Sequence, residues 1–107
     1  CALAHAVCYG LQHFEHVERE YLHGDLVAYG ALVQLAVDGQ LDKARELRAF
    51  LVSLGTPVTL AQMRVPLEKT ALHDALIEAT TGPDMAHIPY PVTQDMVFDA
   101  MQRVETL

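Results

Sequence analysis

Apolar residues recur at three- and four-residue steps through nearly the whole 107-residue chain, and this spacing constrains the fold more than any other feature. Such steps place the apolar side chains on one face of an α-helix, whereas a half-buried strand requires strict alternation. The sequence contains no convincing strand pattern, internal repeat or low-complexity segment. Because 51% of the residues are hydrophobic, the chain can form a core. We predict a single all-α domain over residues 1–107, a bundle of about five helices.

The helix boundaries are predicted from capping and breaking residues. The five helices span residues 2 to about 17, 26–36, 41–54, 66–79 and 93–104. The third is predicted to bury Ala44, Leu47, Phe50, Leu51 and Leu54 on one face. Gly39 and the pair Gly55 and Pro57 predict helix ends, since glycine adopts the left-handed cap conformation and proline cannot continue a helix. Thr93 is the predicted N-cap of the last helix, after a proline-rich loop over residues 81–92.

The charge and the cysteine content exclude several classes of protein. Seven basic and fourteen acidic residues give a net charge of -7, which repels the phosphate backbone of nucleic acids. No apolar run approaches the roughly 18 residues that span a bilayer, and the first residues lack the basic region of a signal peptide. Cys1 and Cys8 are too few for a disulfide scaffold. We therefore expect a cytoplasmic protein with reduced thiols and neither nucleic-acid nor membrane partners.

Four of the six histidines and both cysteines lie within the first 23 residues. Cys1, His5 and Cys8 fall on one face of the first predicted helix, as in a metal-binding corner. The favoured interpretation is a packed helix face, because cysteine is among the most buried residue types. His13 and His16 lie among glutamates and are interpreted as part of a solvated face.

His5 and His23 are the candidate metal ligands, since neutral imidazole is the commonest nitrogen ligand for zinc. In one continuous helix, the 18-residue step between them would separate them by about 27 Å. A shared ion requires both donor atoms at about 2.1 Å. The two residues can share a metal only if the chain reverses between them. No glycine or proline between Leu11 and Leu22 indicates such a reversal.

The segments around these histidines resemble a known family. Residues 4–10 read A-H-A-V-C-Y-G, and residues 21–30 read Y-L-H-G-D-L-V-A-Y-G. They are similar to A-H-A-[VI]-H-N-G and Y-Y-H-G-E-K-V-A-[FY]-G of the glycerol dehydrogenases, within the metal-dependent, iron-containing-type alcohol dehydrogenase superfamily. Residues 54–61 and 88–93 match as well, and the resemblance runs in order through the chain. The chain thus resembles the C-terminal helical domain of a dehydroquinate synthase-like fold.

The resemblance implies that His5 and His23 bind a metal, zinc in family members active on glycerol and iron in relatives. The third protein ligand of the family is an aspartate N-terminal to this region, and no residue here corresponds to it. The Rossmann-like domain that binds most of the NAD likewise lies outside this chain. The chain is then expected to be part of an NAD-dependent dehydrogenase that oxidises glycerol or a similar polyol to the ketone. It would supply two metal ligands and one wall of the cleft, would be inactive alone, and would form a homo-oligomer in the complete enzyme.

The substrate class and the function itself each have an alternative. Cys8 and Tyr9 stand where the family has His and Asn, so the substrate could be a polyol or a hydroxy acid. Asp25 replaces Glu and still suits a helix N-terminus. A non-catalytic helical binding or structural module is the alternative function. Gly24 and Gly30 argue against it, because each costs about 1 kcal/mol relative to alanine inside a helix and so indicates a packing or ligand-site requirement.

Overall fold

The computed structural model describes residues 2–81 and 91–107. All regular secondary structure in these two ranges is helical, which confirms the all-α prediction. The helices are α1 (Ala2–Leu11), α2 (Glu15–Glu20), α3 (His23–Val37), α4 (Leu41–Ser53), α5 (His73–Thr81) and α6 (Gln94–Glu105). No helix in the described ranges is long and apolar enough to cross a membrane. The loop predicted over residues 81–92 lies mostly outside the described residues, although α5 does end at Thr81.

The first predicted helix is divided into α1 and α2. At the end of α1, the N–H groups of His13 and Phe14 bond to the carbonyls of Gly10 and Leu11, three residues back instead of four. Phe14 is then extended, with φ -85° and ψ 111°, and α2 begins at the next residue. The prediction of one helix to about residue 17 is therefore wrong, and the described residues contain six helices where about five were expected.

Long-range contacts of α2 and of Tyr21, which follows it, accompany this break, which no local helix breaker accounts for. Nε2 of His16 lies 3.0 Å from the carbonyl oxygen of Met63. The hydroxyl of Tyr21 donates to the carbonyl of Gln62 at 3.1 Å. These contacts hold α2 against a segment more than 40 residues away in sequence. His13 is exposed as expected, but His16 is partly buried because its ring binds this segment.

The core forms around α1, which packs against both α3 and α5. The fully buried residues of the core include Leu3, Val7, Leu11, Leu26, Leu32, Leu72, Val97 and Val104.

Two glycines allow close helix contacts. A Cβ atom on Gly30 would overlap the carbonyl oxygen of Ala4, and one on Gly10 would lie 2.5 Å from that of Ala75. The packing requirement expected for Gly30 is confirmed, whereas Gly24 faces open space.

The predicted caps of α3, α4 and α6 are confirmed. Gly39 and Gly55, which follow α3 and α4, have φ values of 75° and 76°, in the left-handed region that disfavours side chains. At the start of α6, the Thr93 hydroxyl accepts a hydrogen bond from the backbone N–H of Met96 at 3.1 Å.

The predicted buried face of α4 is only partly correct. Ala44 and Leu51 are buried, but Phe50 and Leu54 are 58% and 62% exposed. Among the helices, α4 packs mainly against α3, which leaves Phe50 and Leu54 uncovered.

The fourth predicted helix begins later than the sequence indicated, at His73 and not near Pro66. The residues before it form turns. Within them, Nζ of Lys69 lies 2.6 Å from Oδ1 of Asp95 and 5.5 Å from the centre of the Phe98 ring. These contacts to α6 favour a non-helical path for the segment, against its helical periodicity.

Candidate metal site

The reversal through α2 brings the two candidate ligands together. α1 and α3 run antiparallel, because Cys8 approaches His23 while Ala4 lies against Gly30. The ring centres of His5 and His23 are 6.1 Å apart, and their planes are inclined by 47°. The chain reversal that a shared metal requires is therefore present.

The separation of the two rings is compatible with one metal ion. Two imidazoles on one tetrahedral zinc have ring centres roughly 5 Å apart, because each nitrogen lies about 2 Å from the ion. Side-chain rotation can close a difference of this size. His5 is partly exposed and His23 is exposed, so an ion can reach both. Imidazole nitrogen suits both zinc and iron.

The two histidines do not complete a metal site by themselves. In residues 2–81 and 91–107, no group of three or more His, Cys, Asp or Glu is arranged to hold a metal ion. A four-coordinate ion at this pair would have two further coordination positions to fill. In a catalytic site, one of them takes a third protein ligand and the other stays open for water or substrate.

Backbone contacts fix the position of each ligand. His5 follows Ala4, whose N–H donates to Oε1 of Gln34 at 3.3 Å and whose carbonyl lies against Gly30. His23 is the first residue of α3 and follows an extended Leu22. There the Asp25 carboxylate accepts the N–H of Leu22 at 3.3 Å and so caps the helix. Both imidazoles therefore extend from ordered helix ends.

Cys8 lies beneath the histidine pair. Its side chain is fully buried, and its Sγ is 3.3 Å from Nδ1 of His23 and 3.8 Å from the carbonyl oxygen of that residue. Burial raises the pKa of the Cys8 thiol to about 11, so the group is a neutral thiol near pH 7. Its burial agrees with the packed-face interpretation. The alternative corner with Cys1 and His5 is not tested, because Cys1 lies outside the described residues.

Comparison with known proteins relates this site to a group of dehydrogenases, although no protein-family model matches the chain. The chain is 36% identical over 107 residues, 98% of its length, to hydroxycarboxylate dehydrogenase A of Escherichia coli strain K12. It is 32% identical over 103 residues, 94% of its length, to glycerol dehydrogenase of Pseudomonas putida. Glycolaldehyde reductase of Halobacterium salinarum has the same identity over the same share. The chain belongs to the family of glycerol and hydroxycarboxylate dehydrogenases. It spans 28–29% of the length of these relatives.

Two of the residues that depart from the family pattern, Cys8 and Tyr9, contact His23. Besides the Cys8 thiol, the ring of Tyr9 lies 5.9 Å from the ring of His23, centre to centre, and is 42% exposed. Leu22 is 75% exposed next to it. His5, Tyr9, Leu22 and His23 form an open surface that we call the histidine face. Cys8 was not predicted to contact His23, although its position one turn after His5 was a usable signal.

The other histidines within the described ranges, His13, His16 and His73, are not part of the histidine face. His16 binds Met63 on the segment that receives α2. His13 and His73 are exposed side chains on other parts of the surface. His87 lies outside the described residues. Among the histidines that the structure describes, only the two that the family pattern marks lie together.

Proposed function

We propose that the chain supplies His5 and His23 as metal ligands to an NAD-dependent dehydrogenase that oxidises a small polyol or hydroxy acid. The observation that carries this proposal is the 6.1 Å approach of the two rings across an antiparallel helix pair. The names of the relatives support the substrate class, because glycerol, glycolaldehyde and hydroxycarboxylates are all small, oxygen-rich compounds.

In this proposal the helices hold the ligands rigidly and form one wall of the cleft. Two neutral imidazoles bind the ion, and exposed Tyr9 and Leu22 flank the position where substrate would enter. Zinc or iron bound there supplies Lewis-acid polarisation of the substrate oxygen. The contact between Ala4 and Gly30 keeps α1 and α3 at a fixed separation, and such rigid support favours precise placement of ligands.

The proposal places the rest of the machinery outside these 107 residues. NAD, the hydride acceptor of such reactions, would bind mainly to another part of the enzyme. By the family resemblance, a further protein ligand for the ion would come from there as well. We also propose that the complete enzyme is a cytoplasmic homo-oligomer.

The test is replacement of each ligand in a polypeptide of the relatives' length that carries this sequence. His5→Ala and His23→Ala should each remove the bound metal and abolish NAD-dependent oxidation of glycerol and of a hydroxy acid. Metal content is measured by mass spectrometry and helical content by circular dichroism, which should not change. His13→Ala is the matched control, because it removes an exposed histidine from outside the histidine face.

Two outcomes would contradict the proposal. Normal metal content and turnover in either ligand variant would show that the histidine is not a ligand. A polypeptide with neither metal nor dehydrogenase activity before substitution would favour the non-catalytic helical module.

A further inference from the structure

We propose that Cys8 is a positioning residue that fixes the His23 ring with its proton on Nδ1, so that Nε2 is the atom offered to the metal. This inference rests on the proposed function and assigns a role to a residue that departs from the family pattern. It is carried by the two contacts of the buried sulfur atom, one to the ring and one to the backbone of His23.

The proposed direction of the hydrogen bonds is consistent with the groups involved. A neutral thiol has one hydrogen to donate, and its sulfur can also accept. The backbone carbonyl of His23, 3.8 Å from Sγ, can only accept, and the proposed arrangement directs the S–H there. The ring atom Nδ1, 3.3 Å from Sγ, then donates its N–H to the sulfur. A neutral imidazole carries a single N–H, which leaves Nε2 with a free lone pair. The reverse arrangement, in which the S–H donates to an unprotonated Nδ1, is the outcome that a tautomer measurement would detect.

The recorded polar contact to a ring nitrogen of His23 is that of Cys8. The Asp25 carboxylate already accepts the N–H of Leu22. Tyr9 meets the imidazole through its ring, at 5.9 Å between centres. His23 itself is exposed, so a buried anchor on the adjacent helix restricts a ring that solvent would leave free to rotate. Ligand histidines normally donate their second N–H to such a partner.

Cys8 is not proposed as a ligand. Cys8, His5 and His23 do not form a group that could hold a metal ion. The sulfur lies beneath the pair, on the core side of α1, and is inaccessible to solvent. Its effect on the metal is therefore exerted through the His23 ring.

The first experiment reads the tautomer of His23 directly. Long-range ¹H–¹⁵N correlation spectra of the full chain, labelled on histidine and kept free of metal in mildly alkaline buffer, distinguish a protonated from an unprotonated ring nitrogen. We expect Nδ1 protonated in the unsubstituted chain. Cys8→Ala should shift the population towards the Nε2-protonated form. Val7→Ala is the matched control, because it truncates a buried neighbour on α1 that carries no polar atom.

The second experiment measures zinc affinity by competition with a chromogenic chelator, with the same substitutions made in a polypeptide of the relatives' length, because this chain offers only two of the proposed ligands. Cys8→Ala should weaken binding about tenfold or more, the usual effect of removing the partner of a ligand histidine. Cys8→Ser, whose hydroxyl can both donate and accept, should retain part of the affinity. Val7→Ala should leave it unchanged. Circular dichroism confirms that each variant keeps its helices.

The outcomes separate this inference from the proposed function. A proton on Nε2 in the unsubstituted chain, or equal zinc affinity with Cys8→Ala, would overturn the role of Cys8. Zinc affinity unaffected by both His5→Ala and His23→Ala would instead overturn the metal site itself.

Discussion

The hydroxyl of Tyr29 is a polar group in the apolar core. The side chain is fully buried in α3, and its hydroxyl has no hydrogen-bond partner among the residues that the structure describes. Burial, and secondarily the charge of Glu105, raises the pKa of this phenol well above its ordinary value. The family pattern accepts Phe or Tyr at this position, which is consistent with a ring needed for packing and a hydroxyl that contributes little.

Tyr29→Phe should therefore leave the protein as stable as before or raise its free energy of unfolding by about 1 kcal/mol near neutral pH. An unpaired buried hydroxyl costs about 1–3 kcal/mol, and phenylalanine keeps the ring. Urea unfolding measures the effect, with Tyr9→Phe as an exposed control. A loss of more than about 1 kcal/mol would indicate a hydrogen-bonded water or other partner at the hydroxyl.

Tyr29 should also make the free energy of unfolding depend on pH at the alkaline end. In the unfolded chain tyrosine ionises near pH 10, whereas native Tyr29 keeps its proton to higher pH. The native state then binds more protons, so stability is retained below about pH 10 and lost as pH rises further. Tyr29→Phe should reduce this alkaline loss in unfolding curves. An identical loss in the variant would contradict the direction of the pKa shift.

At the scale of the helices, the contact between α1 and α3 depends on Gly30. Gly30→Ala would force its Cβ into the carbonyl oxygen of Ala4, and overpacking of this kind costs about 1–3 kcal/mol or more. Gly24→Ala, six residues earlier on the same helix, meets no atom within 4 Å. It should be neutral or stabilising by up to about 1 kcal/mol, since alanine favours helix.

Chemical denaturation of the two variants tests this pair of predictions. Equal stability of Gly30→Ala and Gly24→Ala would show that the helices can move apart without cost. If Gly30→Ala is destabilised as expected, zinc affinity should be measured in the same variant. A lower affinity would show that the positions of His5 and His23 depend on the packing of α1 against α3.

Helix ends that carry a local signal could be predicted from the sequence. Gly39 and Gly55 fix the ends of α3 and α4 because both adopt positive φ, and Thr93 fixes the start of α6 because its hydroxyl caps the helix. The break after Leu11 could not be predicted. It is accompanied by the contact of His16 with Met63, which exists only in the folded chain.

In the candidate site, too, some features could be predicted from the sequence and others depend on tertiary contacts. Family resemblance marked His5 and His23, yet the spacing of the residues alone did not show that the chain reverses between them. The contact of Cys8 with His23 requires the antiparallel arrangement of α1 and α3, so it became visible only in three dimensions.

Across the whole molecule, stability should be distributed unevenly among the helices. α1 is covered by both α3 and α5, whereas α4 packs mainly against α3 and leaves Phe50 and Leu54 exposed. Buried helices open only with larger parts of the fold, while peripheral ones open locally.

Amide hydrogen exchange tests this distribution. The central amides of α1 and α3 should exchange most slowly, at rates set by near-global unfolding, and those of α4 should exchange faster. Equal protection of α4 and α1 would mean that α4 unfolds together with the core. Fast exchange in α1 would contradict its central position.

The contact between Ala4 and Gly30 also limits how this site could be redesigned. The contact joins a backbone carbonyl to a residue without a side chain. Any larger residue at position 30 would overlap that carbonyl, so side-chain substitution at this position cannot adjust the distance between α1 and α3 gradually. An engineer seeking a different ion would have to change the connecting segment, residues 12–22, whose length sets where α3 begins. The relative placement of His5 and His23 is thus encoded mainly in the path of the main chain.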